Sequence, residues 1–365
     1  MPPQLTLSAR TEKQRKGRHT MVAIDPVIRV AAVQAAPVWL SKEKSTDKAI
    51  ALIQEAAGRG AHLVAFGESW LPGFPYWIWL GAPAWGSDFF VELHQNAVEA
   101  DGPELRAVRD AARRASVEVV LGATEREVGS LYCTLFFIGS DGSLRGRHRK
   151  LKPTHVERSI WGEGDGSDLF VLDTPIGKLG GLNCWEHLQP LSKYAMYAAG
   201  EQIHVAAWPA LSIYNGTAYA LGVEANMAAS RVYALEGQNY VIAVTNIVGE
   251  DVFSRLCDTE ERQRLLERGG GTTTIFAPSG ETHAGPLPYT TEDILVADLD
   301  LAEIRRAKQA ADPAGHYARA DATRLLVNRH PRTPVHVDPA PSDSVFGAPP
   351  TAAFEPQDGE EAVDQ

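Results

Sequence analysis

Residues 176–187 read Ile-Gly-Lys-Leu-Gly-Gly-Leu-Asn-Cys-Trp-Glu-His, and this stretch decides the fold. The apolar, glycine-bearing run up to Asn183 predicts a β-strand, and the apolar spacing after Cys184 predicts a helix. Cys184 then stands on a sharp turn, where helix N–H groups favour a thiolate and a nucleophile can be held exposed. A lone cysteine is more often a small buried hydrophobe. We interpret Cys133 in that way, as part of a core strand, and we expect the charged segment around Cys257 to be exposed.

The composition of the chain limits the partners that it can have. Its 365 residues are 44% hydrophobic, which is enough for a large core. The formal net charge of −11 argues against nucleic acid or an anionic membrane as a partner. Three widely spaced cysteines form neither a disulfide framework nor a zinc site, so a cytoplasmic location is expected. No apolar run is long enough to span a bilayer.

Strand and helix patterns alternate between two polar ends. Residues 1–27 lack the apolar stretch of a secretory signal and are predicted to be a flexible extension. Residues 336–365, rich in Pro, Ala, Ser and acidic residues, are predicted to be disordered. No linker interrupts residues 28–335, which predicts one catalytic domain. The alternation predicts an α/β layered protein, and hairpin signals such as Asp141-Gly142 predict mixed sheets.

Two further segments place charged side chains at the ends of strands. Glu68 follows a short apolar strand pattern and opens an aromatic, Pro- and Gly-rich loop. In an apolar pocket its pKa would rise, which suits a general acid or base. The basic segment 145–152 leaves a hairpin strand, and a lysine directed inward from it would stabilise an oxyanion. Periodicity does not choose between Lys150 and Lys152, and Glu157 would orient whichever points inward.

Together the three segments resemble the nitrilases of the carbon–nitrogen hydrolase superfamily. The resemblance runs from about residue 28 to residue 332 and is carried by Phe66-Gly67-Glu68-Ser69-Trp70-Leu71-Pro72-Gly73, His148-Arg149-Lys150-Leu151-Lys152-Pro153-Thr154 and the stretch 180–194. The branch resembled is that of the arylacetonitrilase-like and aliphatic nitrilases. The resemblance implies a four-layer αββα sandwich with two mixed β-sheets, and catalytic groups at one end of those sheets.

The resemblance also implies roles for individual residues. Glu68 is the expected general base, Lys150 the charged stabiliser and Cys184 the nucleophile, so the resemblance favours Lys150 over Lys152. Glu157 corresponds to a supporting glutamate. Four further positions correspond to residues that line the substrate pocket of such proteins: Phe74, Trp161, Trp185 and Pro209. We expect packing or a subunit interface as the role of three other tryptophans in the aromatic loop, Trp77, Trp79 and Trp85.

The activity that the resemblance implies is hydrolysis of an organic nitrile to the carboxylic acid and ammonia. The sulfur of Cys184 would add to the nitrile carbon, giving a thioimidate, then a tetrahedral species and a thioester. If the tetrahedral species expels the thiol instead, the product is an amide. No metal or organic cofactor has a role, so the expected small-molecule partners are a nitrile and water. The aromatic loop favours an apolar nitrile, such as an arylacetonitrile.

Three other functions remain open at this point. A cyanide-hydrolysing enzyme, or an amidase or carbamoylase of the same superfamily, would use the same three groups. A non-catalytic scaffold that assembles into filaments would be marked by loss of Glu68, Lys150 or Cys184, and none is lost. The resemblance further implies a homo-oligomer, with a dimer as its building block and a spiral or filament as a larger form.

Overall fold

The computed structural model describes residues 27–332, so the predicted disordered tail and all but the last residue of the predicted N-terminal extension lie outside the described residues. Twelve strands are present in this range. In chain order they are β1 Val27–Gln34, β2 Leu63–Ala65, β3 Glu118–Glu127, β4 Ser130–Ile138, β5 Leu144–Arg149, β6 Leu172–Thr174, β7 Gly177–Asn183, β8 Ile203–Trp208, β9 Tyr240–Thr245, β10 Thr274–Phe276, β11 Thr282–Ala284 and β12 Asp293–Asp300.

The strands form two sheets of six. The first has the order β12-β1-β2-β3-β4-β5, and the second has the order β11-β10-β9-β8-β7-β6. In the first sheet β1, β2 and β3 are parallel, and the flanking pairs are antiparallel. In the second sheet β7, β8 and β9 are parallel, and the outer pairs are again antiparallel. The predicted mixed sheets are therefore confirmed.

The helices of the described residues are α1 Lys42–Gly58, α2 Ser87–Asn96, α3 Pro103–Ala115, α4 Pro190–Ala198, α5 Val223–Gly237, α6 Glu250–Leu256, α7 Glu260–Leu265 and α8 Ala302–Ala310. Helices α1 and α3 cover the outer face of the first sheet, and α4 and α5 cover that of the second. Because side chains alternate along a strand, β4 sends Phe136 and Ile138 toward α1 and α3, and Leu135 and Phe137 toward the second sheet. On the far side, α4 and α5 pack on the second sheet. This arrangement confirms the predicted four-layer αββα sandwich.

The helix predicted directly after Cys184 begins later than expected. A 3₁₀ turn spans Cys184–Leu188, and the α-helix starts at Pro190. Proline has no N–H to donate and its φ suits the first turn of a helix, so it begins a new helix rather than continuing the turn. The strand–turn junction at Cys184 nevertheless exists, and Cys184 lies in the left-handed region with φ of 46°.

A cluster of aromatic and aliphatic side chains covers the end of the sheets where the predicted site lies. It is built from the loop after β2 together with α2, α6 and α7, helices that the sequence pattern did not predict. The two short helices α6 and α7 bury few side chains, so their sequences show no periodic spacing of apolar residues that would predict a helix. The prediction of an exposed Cys257 is wrong: it follows α6 and is buried in this cluster at 4% exposure.

All the strands and helices given above belong to one compact unit, which extends to residue 330. The boundaries 28–335 for a catalytic domain stay a prediction. Among the described residues, none of the helices combines the length and the apolar character that crossing a bilayer requires.

Candidate active site

Three strand ends meet at one edge of the sandwich. Glu68 lies in the turn after β2, Lys150 directly follows β5, and Cys184 directly follows β7. Lys150 Nζ donates to Glu68 Oε1 at 2.6 Å and to Glu157 Oε2 at 2.7 Å. A carboxylate oxygen of Glu68, one of Glu157 and the sulfur of Cys184 all lie within 4.8 Å of one another. The structure therefore brings the predicted nucleophile, base, cation and supporting glutamate into one buried cluster.

The turn that carries Glu68 is fixed to the second sheet. Its N–H donates to the carbonyl of Trp208 at 3.1 Å, and the side chain of Asn246 donates to its carbonyl at 2.7 Å. The chain can approach this closely only because residue 67 is glycine. A Cβ on Gly67 would lie 2.1 Å from Asn246 Oδ1. The base candidate thus belongs to the first sheet by sequence but is held by contacts with both.

Of the two lysines left open by periodicity, Lys150 is the one that points inward. Its side chain is fully buried between the two carboxylates, whereas the side chain of Lys152 is 49% exposed and pairs with Glu163. Glu157 is held in turn by the backbone N–H of Thr154, which donates to its Oε2 at 2.7 Å. The ammonium therefore sits in a fixed position with no freedom to leave the site.

The turn at Cys184 is tied to the segment that carries Lys150. The carboxylate of Glu186 accepts from the backbone N–H of Asn183 at 2.8 Å and from that of Leu151 at 2.9 Å. His148 Nε2 lies 2.8 Å from the same carboxylate, and the pair is buried. Because one carboxylate bonds both segments, the distance between the sulfur and the ammonium is set by a rigid link rather than by loop packing.

Burial and charge set the protonation of the site. Burial raises the pKa of Glu68 to about 7; Lys150 opposes that rise and Glu157 adds to it. Burial alone would lower the pKa of Lys150, but Glu157 and Glu68 raise it well above its usual range. Glu68 can thus accept or release a proton near neutral pH, while Lys150 stays an ammonium.

The prediction that the turn favours a Cys184 thiolate is wrong. Burial raises the pKa of this thiol well above its usual range, and the charge of Glu68 raises it further. Lys150 and a hydrogen bond from the Trp185 N–H lower it only in part. A five-residue 3₁₀ turn offers a weaker dipole than a long helix, and two carboxylates lie close by. The resting nucleophile is therefore a thiol that needs a base.

Cys133 is a neighbour of the site that the sequence interpretation did not place there. It is buried in strand β4 as predicted, but its thiol lies 3.4 Å from Glu68 Oε1. Its carbonyl also accepts from the N–H of Lys150 at 2.8 Å. The hairpin turn at Asp141-Gly142 lies midway between positions 133 and 150. The register of the predicted hairpin therefore pairs Cys133 with Lys150, and it could have indicated that Cys133 lies near the site.

A small cavity opens onto the sulfur of Cys184. Three of the predicted pocket residues, Phe74, Trp185 and Pro209, line it. Trp161 instead packs edge-on against Phe74, with ring centroids 5.6 Å apart, one layer outside the lining side chains. Trp79, for which packing or an interface was predicted, packs in the aromatic cluster and also lines the cavity, which was not predicted. The remaining lining side chains are Thr154, Glu157, Ala210, Leu211, Ile213, Leu221 and Asn226.

The oxygens and sulfur at the centre of the site are atoms of the kind that bind metal ions. Glu68, Glu157 and Cys184 present one such atom each within 4.8 Å of the others. The ammonium of Lys150 already bonds both carboxylates, however, and a metal ion there would meet its positive charge. The residues present therefore fit an ammonium-centred site better than a metal centre.

Comparisons with known proteins agree with this geometry. The carbon–nitrogen hydrolase family matches residues 29–309. An aliphatic nitrilase from Rhodococcus rhodochrous is 49% identical over 317 residues, which cover 87% of this chain and 87% of that protein. An arylacetone-specific nitrilase from Alcaligenes faecalis is 45% identical over 313 residues, which cover 85% of this chain and 88% of that protein.

A solved structure shares the fold at much lower sequence identity. The carbon–nitrogen hydrolase from Helicobacter pylori G27 matches with a TM-score of 0.65 at 19% identity, covering 81% of this chain and 97% of that chain. The fold, the family match and the sequence identity to the two nitrilases all indicate the same family. The chain therefore belongs to the carbon–nitrogen hydrolase family, among its nitrilases.

Proposed function

We propose that this enzyme hydrolyses an apolar organic nitrile to the carboxylic acid and ammonia, with Cys184 as nucleophile, Glu68 as general base and Lys150 as charged stabiliser. The observation that carries the proposal is the buried cluster in which Lys150 bonds Glu68 and Glu157 beside the sulfur of Cys184. A protonated thiol next to a carboxylate with a pKa of about 7 is a nucleophile paired with its base.

The first half of the reaction forms a covalent thioimidate. Glu68 takes the thiol proton, and the sulfur of Cys184 adds to the nitrile carbon. The nitrile nitrogen receives a proton, for which Glu68 is the adjacent source, so the carboxylate is restored. Glu68 Oε2 is buried and free of a hydrogen-bond partner within residues 27–332, which leaves this oxygen available for the transfer. Covalent addition divides the slow hydration of a nitrile into easier steps.

The second half releases ammonia and then the acid. Glu68 takes a proton from water, which attacks the thioimidate carbon. Lys150 and the backbone N–H of Trp185 stabilise the negative oxygen of the tetrahedral species. The protonated nitrogen leaves as ammonia and a thioester remains. A second water, activated in the same way, releases the carboxylic acid and returns the thiol. Expulsion of sulfur instead of nitrogen gives the amide.

The lining of the cavity supports an uncharged, apolar substrate. Phe74, Trp79 and Leu211 present apolar surface. Of the residues from 27 to 332, no arginine or lysine lines the cavity to pair with an anionic substituent. One relative is named for aliphatic substrates and the other for aryl-bearing ones, so their names alone do not distinguish between these two classes of nitrile. The aromatic side chains favour an arylacetonitrile or a similar apolar nitrile.

The remaining proposals concern the setting of the enzyme. All three cysteines are free thiols, which supports a cytoplasmic location. We propose a homo-oligomer whose building block is a dimer and whose larger form is a spiral or filament, because the chain resembles nitrilases. We propose residues 28–335 as the catalytic domain, with Glu157 as supporting glutamate and Trp161 acting on the pocket through Phe74.

Product analysis tests the reaction directly. The purified protein is given phenylacetonitrile, phenylacetamide or cyanide, and the acid, the amide and ammonia are measured. We expect phenylacetic acid and ammonia from the nitrile, and no turnover of the amide. Turnover of the amide alone would favour an amidase, turnover of cyanide alone would favour a cyanide-hydrolysing enzyme, and either result would overturn the proposal.

A further inference from the structure

A chain of buried polar side chains runs from the back of Cys184 into the second sheet. His187 Nδ1 lies 2.6 Å from the carbonyl oxygen of Cys184, and His187 Nε2 lies 2.9 Å from His204 Nε2. His204 Nδ1 lies 2.7 Å from Glu201 Oε1. The other oxygen of Glu201 accepts from Tyr233 at 2.7 Å and from Asn239 at 2.9 Å. None of these groups enters the reaction described above.

If both histidines are neutral, the hydrogen bonds among these side chains have a single direction. A carbonyl oxygen accepts, so His187 Nδ1 must carry the hydrogen, and a neutral His187 then accepts at Nε2. His204 therefore donates from Nε2. If His204 is neutral, its Nδ1 accepts, and Glu201 must be a carboxylic acid that donates from Oε1. Both histidines and Glu201 are buried at 3% exposure or less, which disfavours charge on any of them.

Burial disfavours the charged form of Glu201, His187 and His204 alike. It raises the pKa of Glu201 to about 8, with Tyr233 and Asn239 opposing the rise. It lowers the pKa of His187 to about 3, and it lowers the pKa of His204 well below its usual range. Near neutral pH, Glu201 is therefore a protonated acid and His187 and His204 are neutral imidazoles. These protonation states agree with the direction of the hydrogen bonds.

The fold makes room for Glu201 at the strand that carries the nucleophile. A Cβ on Gly180 would lie 2.1 Å from Glu201 Oε1, so only glycine lets this carboxyl reach His204. The ring of His204 stacks on that of Tyr233 with centroids 3.8 Å apart, and His187 stacks on Trp208 at 5.2 Å. These contacts hold both imidazole rings in the planes that their hydrogen bonds require.

The carbonyl at the end of the chain belongs to a functional peptide group. Cys184 supplies its C=O and Trp185 its N–H, and that N–H lowers the pKa of the Cys184 thiol. A hydrogen bond to the oxygen of an amide draws electron density from its nitrogen and makes its N–H a stronger donor. The same bond fixes the orientation of the peptide plane, where Cys184 has a positive φ.

We infer that Glu201, His204 and His187 are positioning residues, which orient and polarise the Cys184–Trp185 peptide group so that its N–H stabilises the oxyanion. The inference rests on the proposed function, because it concerns the tetrahedral species of that reaction. If the Trp185 N–H is a weaker donor, the tetrahedral species has a shorter lifetime. Nitrogen leaves only after it is protonated, whereas sulfur leaves as a thiolate without that step. A shorter lifetime therefore favours loss of sulfur, which gives the amide, over loss of ammonia, which leads to the acid.

Two amide substitutions at position 187 separate the contacts of this imidazole. His187→Asn places an N–H near the position of Nδ1 and keeps the bond to the Cys184 carbonyl. His187→Gln places its amide near the position of Nε2 and keeps the contact with His204. Removal of an oxyanion donor lowers kcat by about 10²–10³-fold. Loss of the hydrogen bond that polarises the Trp185 N–H should lower kcat by less than this, because the donor itself remains. We expect kcat to fall about tenfold in His187→Gln, with a larger amide fraction and KM within about twofold of the parent enzyme, and to fall about threefold or less in His187→Asn.

Glu201→Gln tests the direction of the chain. A glutamine can donate from its amide nitrogen to His204 and accept from Tyr233 with its oxygen, as the protonated acid does. We expect kcat and the amide fraction to stay within about twofold of the parent enzyme. A fall as large as that of His187→Gln would overturn the inference.

The decisive readout is the ratio of amide to acid, measured by chromatography with phenylacetonitrile as substrate. This ratio does not depend on how much of a variant is folded, so a stability defect cannot imitate the expected change. Equal ratios in the parent enzyme, His187→Asn and His187→Gln would overturn the inference while leaving the proposed reaction intact. A parent enzyme that forms neither acid nor amide would instead overturn the proposed function and the inference with it.

Discussion

Substitution of Glu157 by glutamine should move the acid limb of the pH–rate profile. Glu157 raises the pKa of Glu68, and a base must be deprotonated to act, so activity is lost as the pH falls through the pKa of Glu68. Glutamine keeps the shape of the side chain and an oxygen for Lys150 and the Thr154 N–H, but it removes the charge. The pKa of Glu68 should therefore fall, and activity should persist to lower pH.

The expected shift follows from the separation of the two carboxylates. Their nearest oxygens lie within 4.8 Å, and two unit charges at that distance interact by about 3 kcal/mol at an effective dielectric constant of about 20. This energy corresponds to about two pKa units. The acid limb, which we expect near pH 7 in the parent enzyme, should move to about pH 5. The maximal rate should fall as well, because Lys150 loses one of its two anionic partners.

The assay is kcat/KM for phenylacetonitrile between about pH 4 and pH 9 at constant ionic strength, since this parameter reports the free enzyme. Glu163→Gln is the matched control, because Glu163 pairs with the half-exposed Lys152 on the same segment but lies outside the buried cluster. Its profile should coincide with that of the parent enzyme. An acid limb that stays in place in Glu157→Gln would refute the assignment of that limb to Glu68.

Three further substitutions probe the same region. Cys133→Ala removes the thiol beside Glu68 Oε1, and we expect kcat to fall several-fold. The substrate adduct should still form on Cys184. An adduct on another residue, or complete loss of activity in folded protein, would contradict this expectation. Cys184→Ala should unfold in urea like the parent enzyme but produce no ammonia, and residual turnover near the parent rate would refute the nucleophile. Glu186→Ala leaves His148 Nε2 and two backbone N–H groups without their partner in the interior, so the free energy of unfolding should fall by about 3–5 kcal/mol. A loss below about 1 kcal/mol would contradict the link described above.

The sequence predicts the fold well where periodicity is strong. The parallel strands that end at the site are short apolar runs, and each was recognisable from its own residues. The resemblance then selected Lys150, a choice that periodicity could not make because β5 is only half-buried along much of its length. Burial of Lys150 depends on the partner strand and on Glu157, and neither is a property of the local pattern.

The errors arise where tertiary contacts decide. A helix dipole favours a thiolate in general, but here the turn after Cys184 is short and the charge of Glu68 acts in the opposite sense. Trp79 lies in an aromatic loop whose fold depends on α2, α6 and α7, so its place on the cavity wall could not be read from spacing. Cys257 sits among charged residues, yet tertiary packing buries it.

The central claim is that carbon–nitrogen bond hydrolysis passes through a covalent bond to the sulfur of Cys184. The most direct measurement is rapid acid quenching during turnover of phenylacetonitrile, followed by mass spectrometry of the digested protein. We predict an acyl or imidoyl adduct on the peptide that contains Cys184, with the peptides of Cys133 and Cys257 unmodified. Continued turnover with an unmodified Cys184 peptide at every quench time, or an adduct on Cys133 instead, would contradict the account.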